Sequence, residues 1–171
     1  MKTYGSEPGI PDPVQVGISE LVVSEGDDTL KSYGLGSCLA IALYEPDSGI
    51  GGLAHIMLPD GDKAANSDAK PGKYADTAIR ALLRRMVERG ASYTAVEAKI
   101  AGGSDMFEFE SFGDGVGKRN IAAAREELEK LGVPIIAEDV GGTDGRTVEF
   151  TPDSGKLTVK TANGDDGVTE L

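Results

Sequence analysis

Cys38-Leu-Ala-Ile-Ala-Leu-Tyr44, then Glu45-Pro-Asp-Ser-Gly49, then Ile50-Gly-Gly-Leu-Ala-His55-Ile-Met-Leu58: this stretch decides the fold. Two apolar runs of strand length flank a cluster of turn formers, the pattern of a β-hairpin. The same stretch holds the only cysteine and the only histidine among 171 residues. A thiol is a poor nucleophile near its ordinary pKa of about 8.5, and a neighbouring imidazole is the usual means of drawing off its proton. Opposed residues of an antiparallel hairpin have position numbers with a constant sum. If Tyr44 faces Gly49, Cys38 faces His55 on one side of the sheet, with Cβ atoms about 4.5–5.5 Å apart. A slip of one residue sends the two to opposite faces. The spacing therefore permits a dyad, and it also permits a small, buried, inert cysteine beside a strand histidine.

Working outward, Val14, Val16 and Ile18 alternate and Leu21 to Val23 continue as strand, while Thr29 to Tyr33 form a short strand carrying Ser32. Gly34 and Gly36 give the approach to the cysteine a backbone that can bend and offer N–H groups to a developing oxyanion. They are not a dinucleotide fingerprint, because no third glycine and no helical pattern follow. Asp60 to Gly72 is a long polar loop on the edge of the proposed site. Ala75, Ala78, Ile79, Leu82, Leu83, Met86 and Val87 then mark one helix face, with arginines in its last turns and Gly90 as its stop. Thr94 to Ala101 reads as a strand ending in Gly102-Gly103, where no neighbouring side chain offers acid, base or ligand, and residues 108–112 are too short to classify. A second helix enters at Gly117-Lys-Arg-Asn120 and carries Ile121, Ala124, Leu128 and Leu131 on its stripe, ending at Gly132. Backbone donors at its start could receive an anion; Lys118 and Arg119 read as surface charge. Val133 to Ala137 is a buried strand, Asp139 to Gly145 a turn, and Arg146–Phe150 and Lys156–Thr161 the last strands. The expected class is α/β, with mostly antiparallel strands and two long helices. One domain, residues 13–161, is expected between a mobile arm (1–12) and an acidic, disordered tail (162–171).

Composition narrows the chemistry. One cysteine excludes an internal disulfide and suits a reducing compartment. A net charge of −12 argues against nucleic acid, since a phosphate backbone needs cations to neutralise it. No apolar run approaches the roughly 18 residues of a membrane span, and the first residues lack the apolar core of a signal peptide, so a cytoplasmic protein without membrane insertion is expected. One histidine and one cysteine fall short of the ligands zinc takes. No metal and no cofactor are expected. Cysteine amide hydrolysis is the catalytic class these residues can supply. The acidic surface also resembles that of proteins in high-salt cytoplasm, where screening removes self-repulsion.

Gly34-Leu-Gly-Ser-Cys38, His55-Ile-Met-Leu-Pro59, Lys73-Tyr-Ala-Asp-Thr-Ala78, Ala98-Lys-Ile-Ala-Gly-Gly103 with Met106-Phe107, Gly117-Lys-Arg-Asn120, and Asp139-Val-Gly-Gly142 with Gly145-Arg146 together resemble the motifs of the chemoreceptor glutamine deamidases, the CheD family. The likeness runs from about Val14 to Lys160, in the family's order. It implies an α/β/β sandwich with both helices on one outer face. It implies that Cys38 is the nucleophile, that His55, seventeen residues on, is its base, and that the hydroxyl of Ser32, six residues before the cysteine, completes a triad. Threonine is commoner there, so Ser32 is a mild departure. It further implies deamidation of glutamines on cytoplasmic chemoreceptor helices, a possible glutamyl methylesterase activity through the same thioester, and binding to a CheC-type phosphatase. A different class also fits the resemblance, a non-catalytic partner that regulates that phosphatase.

Overall fold

The computed structural model describes residues 12–63, 70–105, 115–162 and 167–171. In chain order the strands are β1 (Val14–Gln15), β2 (Leu21–Glu25), β3 (Leu30–Leu35), β4 (Leu39–Glu45), β5 (Ile50–Ile56), β6 (Glu97–Gly102), β7 (Ile135–Val140), β8 (Arg146–Thr151), β9 (Lys156–Thr161) and β10 (Val168–Glu170). The long helices are α1 (Ala75–Glu88), between β5 and β6, and α2 (Val116–Lys130), between β6 and β7. One sheet runs β1-β3-β8-β9-β10 and the other β2-β5-β4-β6-β7. Among the named strands, β1–β3 and β6–β7 pair parallel and the other neighbours antiparallel.

The hairpin β4–β5 lies at the centre of the second sheet, and every residue of both strands is buried. That is why they read as continuous apolar runs rather than as an alternation. Leu39, Ile41 and Leu43 face the helices, joined by Ile79, Leu82 and Met86 of α1 and Ala124 and Leu128 of α2. Ala40, Ala42 and Tyr44 face the other sheet and pack with Leu30, Val148, Phe150 and Val159. The result is the expected α/β/β sandwich, with both helices on one outer face. Gly51 and Gly52 let the layers close on β5: a Cβ at Gly51 would sit 3.2 Å from the Phe150 ring and one at Gly52 2.8 Å from Leu82.

The hairpin register differs from the expected one. Glu45 pairs with Ile50 and Tyr44 with Gly51, so the constant sum is larger by two and Ala40, not Cys38, lies opposite His55. Gly49 is the cause. It takes the left-handed conformation at φ 71° and donates to the Glu45 carbonyl, so it belongs to the turn and not to the strand. Because the shift is an even number of residues, the side-chain faces are unchanged.

Other expectations shift as well. The 94–101 strand starts only at Glu97, after a 3₁₀ turn over Tyr93–Ala95. The 133–137 strand runs Ile135–Val140 with alternating exposure, because it is the edge of its sheet and has one covered face. Val87, counted on the buried stripe of α1, is exposed. The expected disordered tail is corrected for residues 167–171. Val168–Glu170 pairs with β9, and the Lys99 ammonium donates to the Leu171 carbonyl at 2.8 Å, so backbone pairing orders a segment whose side chains are exposed. The N-terminal arm up to residue 11, residues 64–69 of the polar loop and the 108–112 segment lie outside the described residues.

Candidate functional site

Among the described residues the chain passes between the sheets four times, and the predicted site residues lie at two of these passages. The first passage, Val16 to Glu20, runs over His55: Ser19 N–H donates to the His55 carbonyl and His55 N–H to the Glu20 carbonyl. The other of the two, Gly36 to Cys38, joins β3 of the first sheet to β4 of the second. Ser32 on β3 and His55 on β5 therefore belong to different sheets and meet in the space between them. Ser32 Oγ lies 2.7 Å from the Val16 carbonyl and 2.7 Å from His55 Nδ1, and both residues are buried. The hydroxyl proton goes to Val16, whose oxygen can only accept. Ser32 Oγ is thus left as the acceptor for Nδ1–H, and this assigns the tautomer: the free lone pair of the imidazole is on Nε2. That Nε2 is buried and has no hydrogen-bond partner among the described residues.

Cys38 stands just before β4 and is half-buried. It is two residues from Ala40, the partner of His55, and packs against the same inter-sheet cluster as Ala40, which places it on that face. In a regular ladder such diagonal neighbours are about 7–8 Å apart at Cα and closer at Cβ, within reach of long side chains. The expectation of direct opposition is therefore replaced by a diagonal placement on one face. Burial pushes the thiol pKa up and the imidazole pKa down, the latter opposed by the Val16 carbonyl. Both shifts favour the neutral pair at rest, a thiol and an imidazole rather than an ion pair.

The cysteine loop is held from behind by three successive carbonyls. Gly36 O accepts from Ser104 N–H at 2.8 Å and from Ser104 Oγ at 2.9 Å. Ser37 O accepts from Asn120 Nδ2 at 2.8 Å, and Cys38 O accepts from Gly103 N–H at 2.8 Å. The same Asn120 nitrogen also donates to Met57 O at 3.0 Å, two residues past the histidine. Such contacts require close backbones. Gly103 has φ 66°, and a Cβ there would fall 2.6 Å from Ile121 Cγ1; one at Gly117 would fall 2.5 Å from the carbonyl oxygens of Gly103 and Ser104. The start of α2 is thus packed on this loop rather than open to an anion. Arg146 completes the support, donating to Gly102 O and to Asp139 and so joining β8 to the ends of β6 and β7. Lys118 and Arg119 are exposed.

Asn120 and Ser104 carry no reactive group, and reading for acids, bases and ligands passed over them. Their signal was their place in glycine-flanked motifs that otherwise had no chemistry. Those motifs, scattered from Gly34 to Arg146, converge on one loop. The family model described as CheD chemotactic sensory transduction matches residues 57–161. This chain belongs to the CheD family. It is 44% identical over 165 residues, 96% of this chain and 94% of the relative, to the probable chemoreceptor glutamine deamidase CheD of Haloarcula marismortui. It is 41% identical over 150 residues, 86% of this chain and 90% of the relative, to the chemoreceptor glutamine deamidase CheD of Bacillus subtilis. The likeness to CheD relatives thus extends upstream of the matched model to the segment holding Ser32, Cys38 and His55. Among the described residues no group of three metal-ligating side chains is gathered, and no helix is long and apolar enough to cross a membrane.

Proposed function

We propose that this CheD-family chain is a protein-glutamine deamidase in which Cys38 is the nucleophile, His55 the proton carrier and Ser32 the residue that orients it. One observation supports this reading above the rest: Ser32 sets the His55 tautomer so that the only free lone pair, on Nε2, belongs to a ring on the same sheet face as Cys38. The Cys38 sulfur attacks the carbonyl carbon of a glutamine side chain while its proton passes to Nε2. The C=O electron pair moves onto oxygen, then returns as the C–N bond breaks, and the imidazolium gives its proton to the departing ammonia. Water attacks the thioester with Nε2 as base, releasing glutamate and restoring the thiol. A neutral resting pair suits this cycle, because the proton moves only as the S–C bond forms.

The substrate we propose is the cytoplasmic helices of chemoreceptors, in keeping with the names borne by the relatives. A glutamyl methyl ester would pass through the same thioester with methanol as leaving group. A CheC-type phosphatase is the proposed regulatory partner, acting with the chain in the cytoplasm. Receptor cytoplasmic fragments incubated with the protein should gain 1 Da at selected glutamines, and Cys38→Ala should abolish the gain. Equal gains with both proteins would remove the enzyme reading and leave the regulator of the phosphatase.

A further inference from the structure

We infer that Asn120 is a positioning residue that aims the Cys38 backbone N–H at the oxyanion formed during attack by the neighbouring sulfur. The inference rests on the cysteine-hydrolase reading above and adds to it a stabilising donor and the side chain that sets it. A trans peptide is planar, and its C=O and N–H point in opposite directions; the described chain has no cis bond. Ser37 C=O and Cys38 N–H share one such plane. Asn120 Nδ2 draws the carbonyl toward α2 at 2.8 Å, so the amide hydrogen is turned away from α2. The preceding plane is treated alike: Ser104 holds Gly36 C=O by both N–H and Oγ, and this turns Ser37 N–H outward. Among the described residues, neither Ser37 N–H nor Cys38 N–H donates to any acceptor. Two adjacent, undonated N–H groups beside a nucleophilic sulfur are the donor pair that a tetrahedral intermediate requires.

Asn120 is suited to hold this geometry rigidly. It is fully buried, stands on the first turns of α2, and bonds with the same nitrogen to Met57 O at 3.0 Å. One amide group therefore ties the peptide before the nucleophile to the segment that leaves the histidine strand. The hydrogen bonds of Asn120 go to the Ser37 and Met57 carbonyls, so its action on the reaction is through the Ser37–Cys38 peptide. As the S–C bond forms, the carbonyl π pair moves onto oxygen, and the Cys38 N–H, already aimed, accepts no reorganisation cost.

The test separates reactions of Cys38 that pass through an oxyanion from those that do not. Acylation by p-nitrophenyl acetate forms a tetrahedral oxyanion; alkylation by iodoacetamide is a direct displacement at carbon and forms none. The single cysteine makes both readouts specific, with Cys38→Ala as background. For Asn120→Asp, nearly isosteric but presenting only oxygen to two carbonyls, acylation should fall about 100-fold while alkylation stays within about threefold. A ratio of acylation to alkylation that falls less than about tenfold overturns the proposal, whether both rates hold or both fall together. Should that variant fail to fold, native protein carrying ¹⁵N-cysteine decides. Its one labelled amide should move downfield when acetaldehyde adds to Cys38, relative to the S-methylated form, and an equal position in both overturns the proposal. Neither arm uses a receptor. An active ester reaction with no receptor deamidation would remove the proposed substrate and leave the role of Asn120 standing.

Discussion

A serine hydroxyl has one proton to give, and in this chain Val16 takes it, so His55 must donate through Nδ1 and keep its lone pair on Nε2. Ser32→Ala removes both bonds and leaves a buried carbonyl and a buried N–H unpaired, at a cost of about 1–3 kcal/mol. The expected result is a melting temperature lower by about 2–12 °C and deamidation slower by about 10–100-fold; a variant with unchanged turnover would remove Ser32 from the reaction. Burial also sets two pH dependences. The Cys38 thiol is raised above its ordinary value, so its alkylation rate should climb through a midpoint above about 8.5. A rate already at plateau near neutral pH would mean a resting ion pair instead. Native His55 is held below its ordinary value, while an unfolded imidazole protonates near 6.5. The stability from burying it neutral is therefore present above about pH 6.5 and lost as pH falls from there through the lower native value. His55→Gln should flatten the melting-temperature slope over that window.

At the scale of elements, small backbone details decide large placements. The turn between β4 and β5 is closed by Glu45, whose carboxylate accepts from the N–H groups of Asp47, Ser48 and Ser92 and is held below the usual carboxylate range mainly by Ser92 and Ser48. That arrangement, with Gly49 left-handed, moved the register by two residues from the one expected. Residue types showed the hairpin and its turn, but nothing in Pro46-Asp47-Ser48 says whether Gly49 ends the turn or begins the strand. Helix stripes were legible apart from Val87 at the end of α1, because one apolar face repeats over four turns. The Gly103–Gly117 contact makes a sharper test. Gly103→Ala places a side chain at φ 66° and against Ile121. Strain and overpacking together should cost about 2–3 kcal/mol, read as a melting temperature lower by about 4–12 °C. Because Gly103 N–H holds Cys38 O, loss of activity should accompany it.

Across the whole molecule, charge is unevenly spread. Of 17 basic and 29 acidic residues, seven and five lie in α1 and α2, so the helices are slightly positive while the rest of the chain carries ten against twenty-four. Most ion pairs among the described residues have an exposed member, such as Lys156–Glu170 and Arg125–Glu138, and such pairs contribute about 0–1 kcal/mol each. Self-repulsion of a net charge of −12 is therefore the larger salt-sensitive effect. The melting temperature should rise as KCl is raised from low to molar concentration. A flat or falling curve would show that surface pairs outweigh repulsion.

The amino-acid sequence by itself determined the α/β class, both helices, the hairpin, and that one cysteine and one histidine share it, because periodicity and residue type are local properties. Parity alone kept Cys38 and His55 on one sheet face, whatever even register the turn adopted. Only the tertiary structure decided that β3 and β5 lie in different sheets, facing each other. No local pattern records which of two stacked sheets a strand joins. That choice brings Ser32 to His55, and it brings Asn120 and Ser104, from distant segments, behind the cysteine loop.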